Sequence, residues 1–595
     1  MNKILNALTE TFVKFDQETK PISERDIAKA IRLIGELKGP SEAPVQLVAE
    51  AMAFDFCEDY HDQATGWGTY YGPMFVFNNG DGTVTEPPSV KRITKEIIEY
   101  WTERAKAAKH PILRARYADL VWDFQKLVTQ QPPHYSMAQI VIDSTIEVAQ
   151  RNCHSVKVDV KKRLERALSI AIALNDDDRV QKVADATIAY EDAVTDDLKP
   201  GLWGFAYDML YDNDKVKLSA AQTQKLINDL EGHLQRASDA SNNKEIDPWA
   251  VESAALRLAK HYRKIGSKED IKRVIMAVRN AFVQASAKAS ALQASAWLQR
   301  VHSTLRKFGL PKEADEISIQ LREVGKRAQS ELKPFSYTME VSKEKVEAYI
   351  AAITAGELED ALTRITAHYI PQKSEVEKQL KELASKTPVA FLIPIELQDD
   401  AGRPLAKVGS LEEDLPGQTV KQMSQNLAIE AVFLRRVLES LVKQYPAFAD
   451  RCVNYLFRSP IFKEDRRQII QQGIEEYAKG NHMAAVHLLI PQIEHAIRVL
   501  VETAGGSVLK QASGGGFHLK VLDDLLRDPI LTQVFREDMV YYFSAVLVDQ
   551  RGWNLRNCVC HGLCDTSEFG PRMSDRILHI LLCLGQVRKK NGKGA

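Results

Sequence analysis

Lys161–Leu174, KKRLERALSIAIAL, decides the fold class. Leu164, Ala167, Leu168, Ile170, Ala171 and Leu174 recur at the i, i+3, i+4, i+7 spacing of one buried helical stripe. The same pattern returns in Ala254–Tyr262, Val274–Val283, Ala291–Val301 and Ile429–Val442. Between these runs stand short breaks with Gly and Pro: Gly266-Ser267, Gly309-Leu310-Pro311 and Gly356. Helix–turn–helix pairs of roughly 35–45 residues are expected to stack as an irregular helical-hairpin array, without the fixed period of a named repeat family.

Two stretches interrupt the helical text. Tyr70–Pro88, with Asn78-Asn79-Gly80-Asp81-Gly82 and Pro87-Pro88, reads as a loop or small hairpin before a helix starting near Ser89. In Pro388–Gly409, Val389–Ile393 and Leu405–Val408 flank Asp399–Pro404, the pattern of a β-hairpin. Ser410–Gln418, with Glu412, Glu413, Asp414, Pro416 and Gly417, reads as a linker. The expected organisation is all-α with a small β-hairpin insertion: a helical array over 1–330, a helical connector over 331–460 with its hairpin near 388–409, and a helical bundle over 461–595.

The composition narrows the function classes. The chain has 595 residues, 79 Lys+Arg against 80 Asp+Glu, and a net charge of -1, which is not the balance of a protein that coats nucleic acid through many phosphate contacts. By length alone about four domains are expected, or fewer with an extended array. Seven cysteines make no disulfide framework and point to a reducing compartment. Met1–Leu5 runs at once into Glu10, Asp16 and Glu18, unlike a signal peptide. No uninterrupted apolar stretch approaches the ~20 residues of a membrane span. A soluble cytoplasmic protein with no membrane association is expected.

Most of the chemistry lies in 461–595. Ile461–Lys479 reads as an amphipathic helix ending at Gly480. His482–Ala504 reads as a second helix, with Pro491 expected to kink it or end its first half. Gly514-Gly515-Gly516 reads as a flexible joint, and Leu519–Leu526 and Asp538–Asp549 as further helices. Then comes Arg551-Gly552-Trp553-Asn554-Leu555-Arg556-Asn557-Cys558-Val559-Cys560-His561-Gly562-Leu563. Asn554 is the expected N-cap of a new helix, with Arg556 and Asn557 in a first turn that favours an anion. Asn557 and His561 stack at i, i+4, while His561 lies about 140° round from Arg556, a gap that a long Arg side chain can bridge. A guanidinium that forks onto phosphate, a carboxamide and an imidazole suit phosphodiester chemistry without metal.

The Arg556-Asn557-x-x-x-His561 string in a C-terminal helical bundle resembles the R-x-x-x-x-H motif of HEPN-superfamily ribonucleases, in which a polar residue directly after the Arg is typical. The wider segment includes Tyr477, Gly480, Leu489-Ile490-Pro491-Gln492-Ile493-Glu494-His495-Ala496-Ile497-Arg498, Gly552–Asn557 and His561-Gly562-Leu563. It resembles the uncharacterised HEPN-like domain of bacteria and of eukaryotic endoplasmic-reticulum membrane-associated RNA degradation proteins. The resemblance implies a metal-independent endoribonuclease in which the ribose 2′-hydroxyl attacks the adjacent phosphate, worked by a homodimer through the C-terminal bundle. It implies His561 as general acid/base, Arg556 stabilising the phosphorane, and Asn557 orienting the imidazole or holding a phosphate oxygen. Asn554, Glu494 and Arg498 are implied as substrate-binding or supporting residues. The expected partners are RNA and a protein regulator on the N-terminal array, in a toxin or phage-defence setting, with no cofactor and no metal. The N-terminal region around His110–Leu120 resembles the extension of the bacterial members and implies no chemistry. The alternative is a non-catalytic helical scaffold that binds RNA or a protein partner.

Other motifs carry less. Cys558, Cys560, His561 and Cys564 lie close in sequence but ride one helix, where Cys558 and Cys560 point about 160° apart, so they are read as buried apolar cysteines and not as a zinc site. The Asn78–Gly82 turn lacks the Glu of a calcium loop. His110, Arg114, Arg116 and Asp119 read as an ion-paired helix face. Nucleotide-hydrolase, serine-hydrolase and zincin motifs are absent from the sequence. From Ile461 to Ala595 there are 17 Lys/Arg and 15 Asp/Glu, a slight footprint for RNA. Arg588, Lys589, Lys590 and Lys593 form a basic tail, read as a solvated helix end.

Overall fold

The computed structural model describes the whole chain except residues 1, 37–42, 60–67, 80–82, 198, 240–245, 334–339, 400–401, 513 and 590–595. Part of the expected Asn78–Gly82 turn, and Lys590 and Lys593 of the basic tail, lie outside the described residues. The rest is all-α, with three two-stranded antiparallel hairpins. The chain forms two compact units, Met1–Leu321 and Arg322–Ala595.

In the first unit, consecutive helices pack against each other. The Lys161–Leu174 stripe lies in helix Lys157–Ala173, with Leu164, Ala167, Leu168 and Ala171 buried. Local chemistry sets the ends of the helices. Pro111 opens Pro111–Thr129 behind His110, whose ring nitrogen accepts the Ile112 N–H. Ser219 and Gln222 close a capping box on Ala220–Ser238. Within this unit Arg163 lies 2.5 Å from Glu24 and 3.1 Å from Glu58, and Arg116 lies 2.7 Å from Glu58. The Arg116 guanidinium also donates to the Ala53 and Phe56 carbonyls. These buried charges are each matched, which a low-dielectric interior requires.

The second unit is built round Pro571–Leu584, in which every residue from Met573 to Leu584 is buried. A helix buried on all sides must match its polar groups inside the protein. Arg576 donates to the Leu427 carbonyl at 3.2 Å and to Glu430 at 3.3 Å. His579 sits between the Tyr542 hydroxyl at 2.8 Å and the Ile365 carbonyl at 3.2 Å, and burial pushes it down to about 3, so it is neutral. Asp575 accepts the Tyr477 hydroxyl at 2.6 Å, and burial pushes it up to about 6. Helices Leu358–His368, Leu415–Gln444 and His482–Thr503 pack on this rod, so much of the expected 331–460 connector shares one core with the expected bundle.

Several elements begin or end where the sequence reading did not place them. The helix expected near Ser89 starts at Lys95, because Thr94 caps it and Val90–Arg92 forms only a 3-10 turn. Val389–Ile393 is not a strand: Pro388–Leu392 is a helical turn opened by Pro388, and Pro394 holds Ile393 extended. The hairpin pairs Ile395–Gln398 with Pro404–Val408. The expected linker ends early, since Asp414 caps Leu415–Gln444 by accepting the Gly417 N–H, with Pro416 in the first turn. Arg467, not Ile461, begins the helix that ends before Gly480. Gly514-Gly515-Gly516 is the turn region of a ribbon, Leu509–Gln511 with Phe517–Leu519, so Leu519 belongs to a strand and the next helix is Leu522–Leu526. His482–Thr503 runs through Pro491 unbroken, with Leu489, Ile490, Ile493 and Ala496 packed into the core around it. Among the described residues this is the one helix long and apolar enough to cross a membrane, and most of it is buried in the unit.

Asp575 gives the second unit a pH signature. Its folded pKa is raised, so the folded chain keeps a proton that the unfolded chain releases, and stability falls as pH rises through the window. Relative to Asp575→Asn, the natural protein should lose about 2 kcal/mol of unfolding free energy between about pH 4 and about pH 7. Parallel urea titrations of the two proteins across this range contradict the assignment if the curves run level.

Candidate functional site

The turn that presents the motif rests on a close approach. Gly552 lies against helix Glu537–Leu547, where an added Cβ would meet the Ala545 carbonyl oxygen at 2.1 Å. Beside it the Trp553 N–H donates to that same carbonyl at 2.8 Å. The Trp553 indole donates to the Ser424 carbonyl and lies under Arg572, so the turn is also fixed to helix Leu415–Gln444. Arg551 clamps the start of the turn through Asp549, whose carboxyl is held below its usual value against the opposing pull of burial.

The helix that follows is short, Leu555–Cys560. Asn554 precedes it in the left-handed region, at φ 52, and its side chain caps nothing. That corrects the expected N-cap: the carboxamide oxygen instead accepts the Asn557 Nδ2 at 2.8 Å. A six-residue helix also carries little of the dipole invoked for an anion.

The side chains of Asn554, Asn557, Arg556, Glu494 and Arg498 form one hydrogen-bonded group. Arg556 Nε donates to Glu494 Oε2 at 3.0 Å, its Nη2 lies 3.0 Å from a carboxylate oxygen of Glu494, and its Nη1 donates to Asn557 Oδ1 at 3.1 Å. Arg498, one turn beyond Glu494 on the Pro491 helix, donates to Glu494 Oε1 at 2.8 Å and to the Lys520 carbonyl at 3.3 Å. One carboxylate thus faces two guanidiniums, leaving the trio with a net positive charge. An arginine has five N–H groups, more than these contacts use on Arg556.

His561 stands outside this group. It is the C-cap residue, exposed, and among the described residues its ring has no hydrogen bond or ion pair. Gly562, at φ 64, ends the helix in a Schellman turn: its N–H donates to the Val559 carbonyl and that of Leu563 to the Cys558 carbonyl. The cysteines are not the buried set expected. Cys560 is exposed and Cys558 and Cys564 are half-buried, all three as free thiols. Among the described residues no group of three or more His, Cys, Asp or Glu is arranged to hold a metal ion. The contact of Arg498 with the Lys520 carbonyl was missed in the sequence.

Residues 53–183 match the model of a family described as a domain of unknown function, DUF7380. The match lies in the first unit and contains Glu58, Arg116 and Arg163 of its buried ion pairs. No curated protein and no solved structure matches the chain.

The geometry separates two mutations. Glu494→Ala leaves two arginines, each 17% exposed, without their anion, and should cost about 2–4 kcal/mol. His561→Ala removes an exposed ring without partners and should stay within about 0.5 kcal/mol of the natural chain. Urea unfolding of both variants measures the contrast, and equal losses would refute this picture of the site.

Proposed function

We propose that the C-terminal unit is a metal-independent endoribonuclease of HEPN type. The observation that carries the reading is the pairing of a fixed guanidinium with a free imidazole. Arg556 is oriented by Glu494 and Asn557, and His561 is exposed and unpartnered near the other end of the same short helix. In the proposed reaction His561 takes the proton of the ribose 2′-hydroxyl as that oxygen attacks the neighbouring phosphorus. The spare N–H groups of Arg556 offset the charge that gathers on the phosphorane oxygens. An imidazolium then protonates the leaving 5′-oxygen, giving a 2′,3′-cyclic phosphate and a 5′-hydroxyl. Two protomers meeting through the C-terminal bundle would supply both imidazoles, and a protein regulator on the N-terminal array would hold a toxin or phage-defence activity in check.

One observation favours a second reading, a helical scaffold that binds RNA or a protein partner without cutting it. Arg556 is already ion-paired with Glu494, so a phosphate must compete with a carboxylate held in place by Arg498.

The two readings part in a cleavage assay. The purified full chain should cut RNA in EDTA. His561→Ala and Arg556→Ala should each lower the rate by about 10²–10⁴-fold, with circular dichroism unchanged for His561→Ala. Intact RNA at high concentrations of a sedimentation-verified dimer would favour the scaffold.

A further inference from the structure

The motif turn carries a guanidinium that lies outside the Glu494 group. Arg572 stands at the second position of helix Pro571–Leu584, with its Cζ 4.5 Å from the centre of the Trp553 ring. It is exposed, and among the described residues its side chain has no hydrogen bond and no ion pair. The arginines around it are all matched. Arg551 is bound to Asp549, Arg556 and Arg498 share Glu494, and Arg576 reaches Glu430. Stacking on an indole covers one face of a guanidinium and leaves its N–H edge free. Burial of the covered side and the like charge of Arg576 hold Arg572 below the usual guanidinium value, as expected of a cation with no anion beside it.

Both halves of this stack are fixed. The Trp553 indole donates to the Ser424 carbonyl at 3.2 Å and its backbone N–H to the Ala545 carbonyl at 2.8 Å, which keeps the ring from swinging away. The buried part of helix Pro571–Leu584 begins at Met573, directly after Arg572, and anchors the other half. A side chain held in this way loses little freedom when an anion arrives. Trp553 stands three residues before Arg556, at most about 11 Å along the chain. A single strand gripped at Arg556 therefore passes within a few nucleotides of Arg572.

We propose that Arg572, held against Trp553, is a subsite for a phosphate of the RNA backbone that flanks the bond to be cut. The inference rests on the RNA reading of the site and not on cleavage. The Arg572 N–H groups fork onto two oxygens of that phosphate, and no proton moves. The two positive positions differ in kind. At Arg556 a phosphate competes with Glu494, whereas at Arg572 it displaces no carboxylate of the described residues. Most of the affinity therefore comes from the flank, and Arg556 is left to meet charge that appears only during the reaction. A contact of this sort reads no sequence, because every nucleotide carries the same phosphate.

The test uses the full chain and a labelled 2′-O-methyl RNA oligonucleotide, which keeps its phosphates but has no 2′-hydroxyl to attack. Kd is measured against salt for the natural chain, Arg572→Gln and Arg572→Lys. Arg572→Gln should weaken binding about tenfold at low salt and lower the slope of log Kd against log salt by about 0.7, the share of one single-strand phosphate. Arg572→Lys should keep the slope and recover only part of the affinity, since an ammonium cannot fork onto two oxygens. On cleavable RNA, Arg572→Gln should raise KM and leave kcat within about twofold, and its urea unfolding should match that of the natural chain. Equal affinity and slope for the natural chain and Arg572→Gln would overturn the proposal, as would a fall in kcat at unchanged KM. Arg572-dependent binding in a chain that cuts no RNA supports the subsite and counts against the ribonuclease reading alone. A natural chain that binds no RNA overturns both.

Discussion

Glu494 holds Arg556 with one carboxylate oxygen and Arg498 with the other. Through Arg498, which also reaches the Lys520 carbonyl, that grip extends from the motif helix to the base of the Leu509–Leu519 ribbon. All three side chains are largely withdrawn from water, where an unmatched charge is costly. Their mutual contact fixes where the Arg556 guanidinium points and limits how strongly it can attract anything else. In the proposed reading a phosphate at this site would gain only the difference between a new ion pair and a disturbed old one, so affinity alone would be a poor measure of what the site does. Among the described residues the His561 imidazole has no competing partner and the Arg556 guanidinium has a firm one; in the proposed ribonuclease the first would move protons while the second stays in place.

The scaffold behind this arrangement is a buried helix with polar contents. Pro571–Leu584 runs through the second unit, and its Asp575, Arg576 and His579 bind to Tyr477, Leu427, Glu430, Tyr542 and Ile365 on the surrounding helices. These contacts specify which helix lies where in a way that an apolar rod would not. Gly552 then allows the motif turn to seat against Glu537–Leu547.

Helix class was legible because apolar spacing such as that of Leu164, Ala167, Leu168 and Ala171 has only one helical interpretation. Starts were harder to read: Ser89 opens only a 3-10 turn and its side chain caps nothing, whereas the Thr94 hydroxyl accepts the Ile97 N–H and starts the helix. Pro388 and Pro394 set a helical turn where β-branched and apolar residues suggested a strand. The Leu509–Leu519 ribbon was hidden because its Gly-rich turn reads equally well as a joint. At the site, the i, i+4 spacing of Glu494 and Arg498 was visible. Their link to Arg556, 62 positions from Glu494, was reached through the resemblance and not from spacing. Asn554 was placed at the right position with the wrong job, since its left-handed backbone turns the carboxamide toward Asn557.

The most direct measurement is the chemistry of RNA ends after expression of the full chain, compared with the same chain carrying Arg556→Ala. The account predicts new breaks bearing 2′,3′-cyclic phosphate and 5′-hydroxyl ends with the natural protein and none with the variant. Identical end maps from the two, or breaks with 5′-phosphate ends, would contradict it.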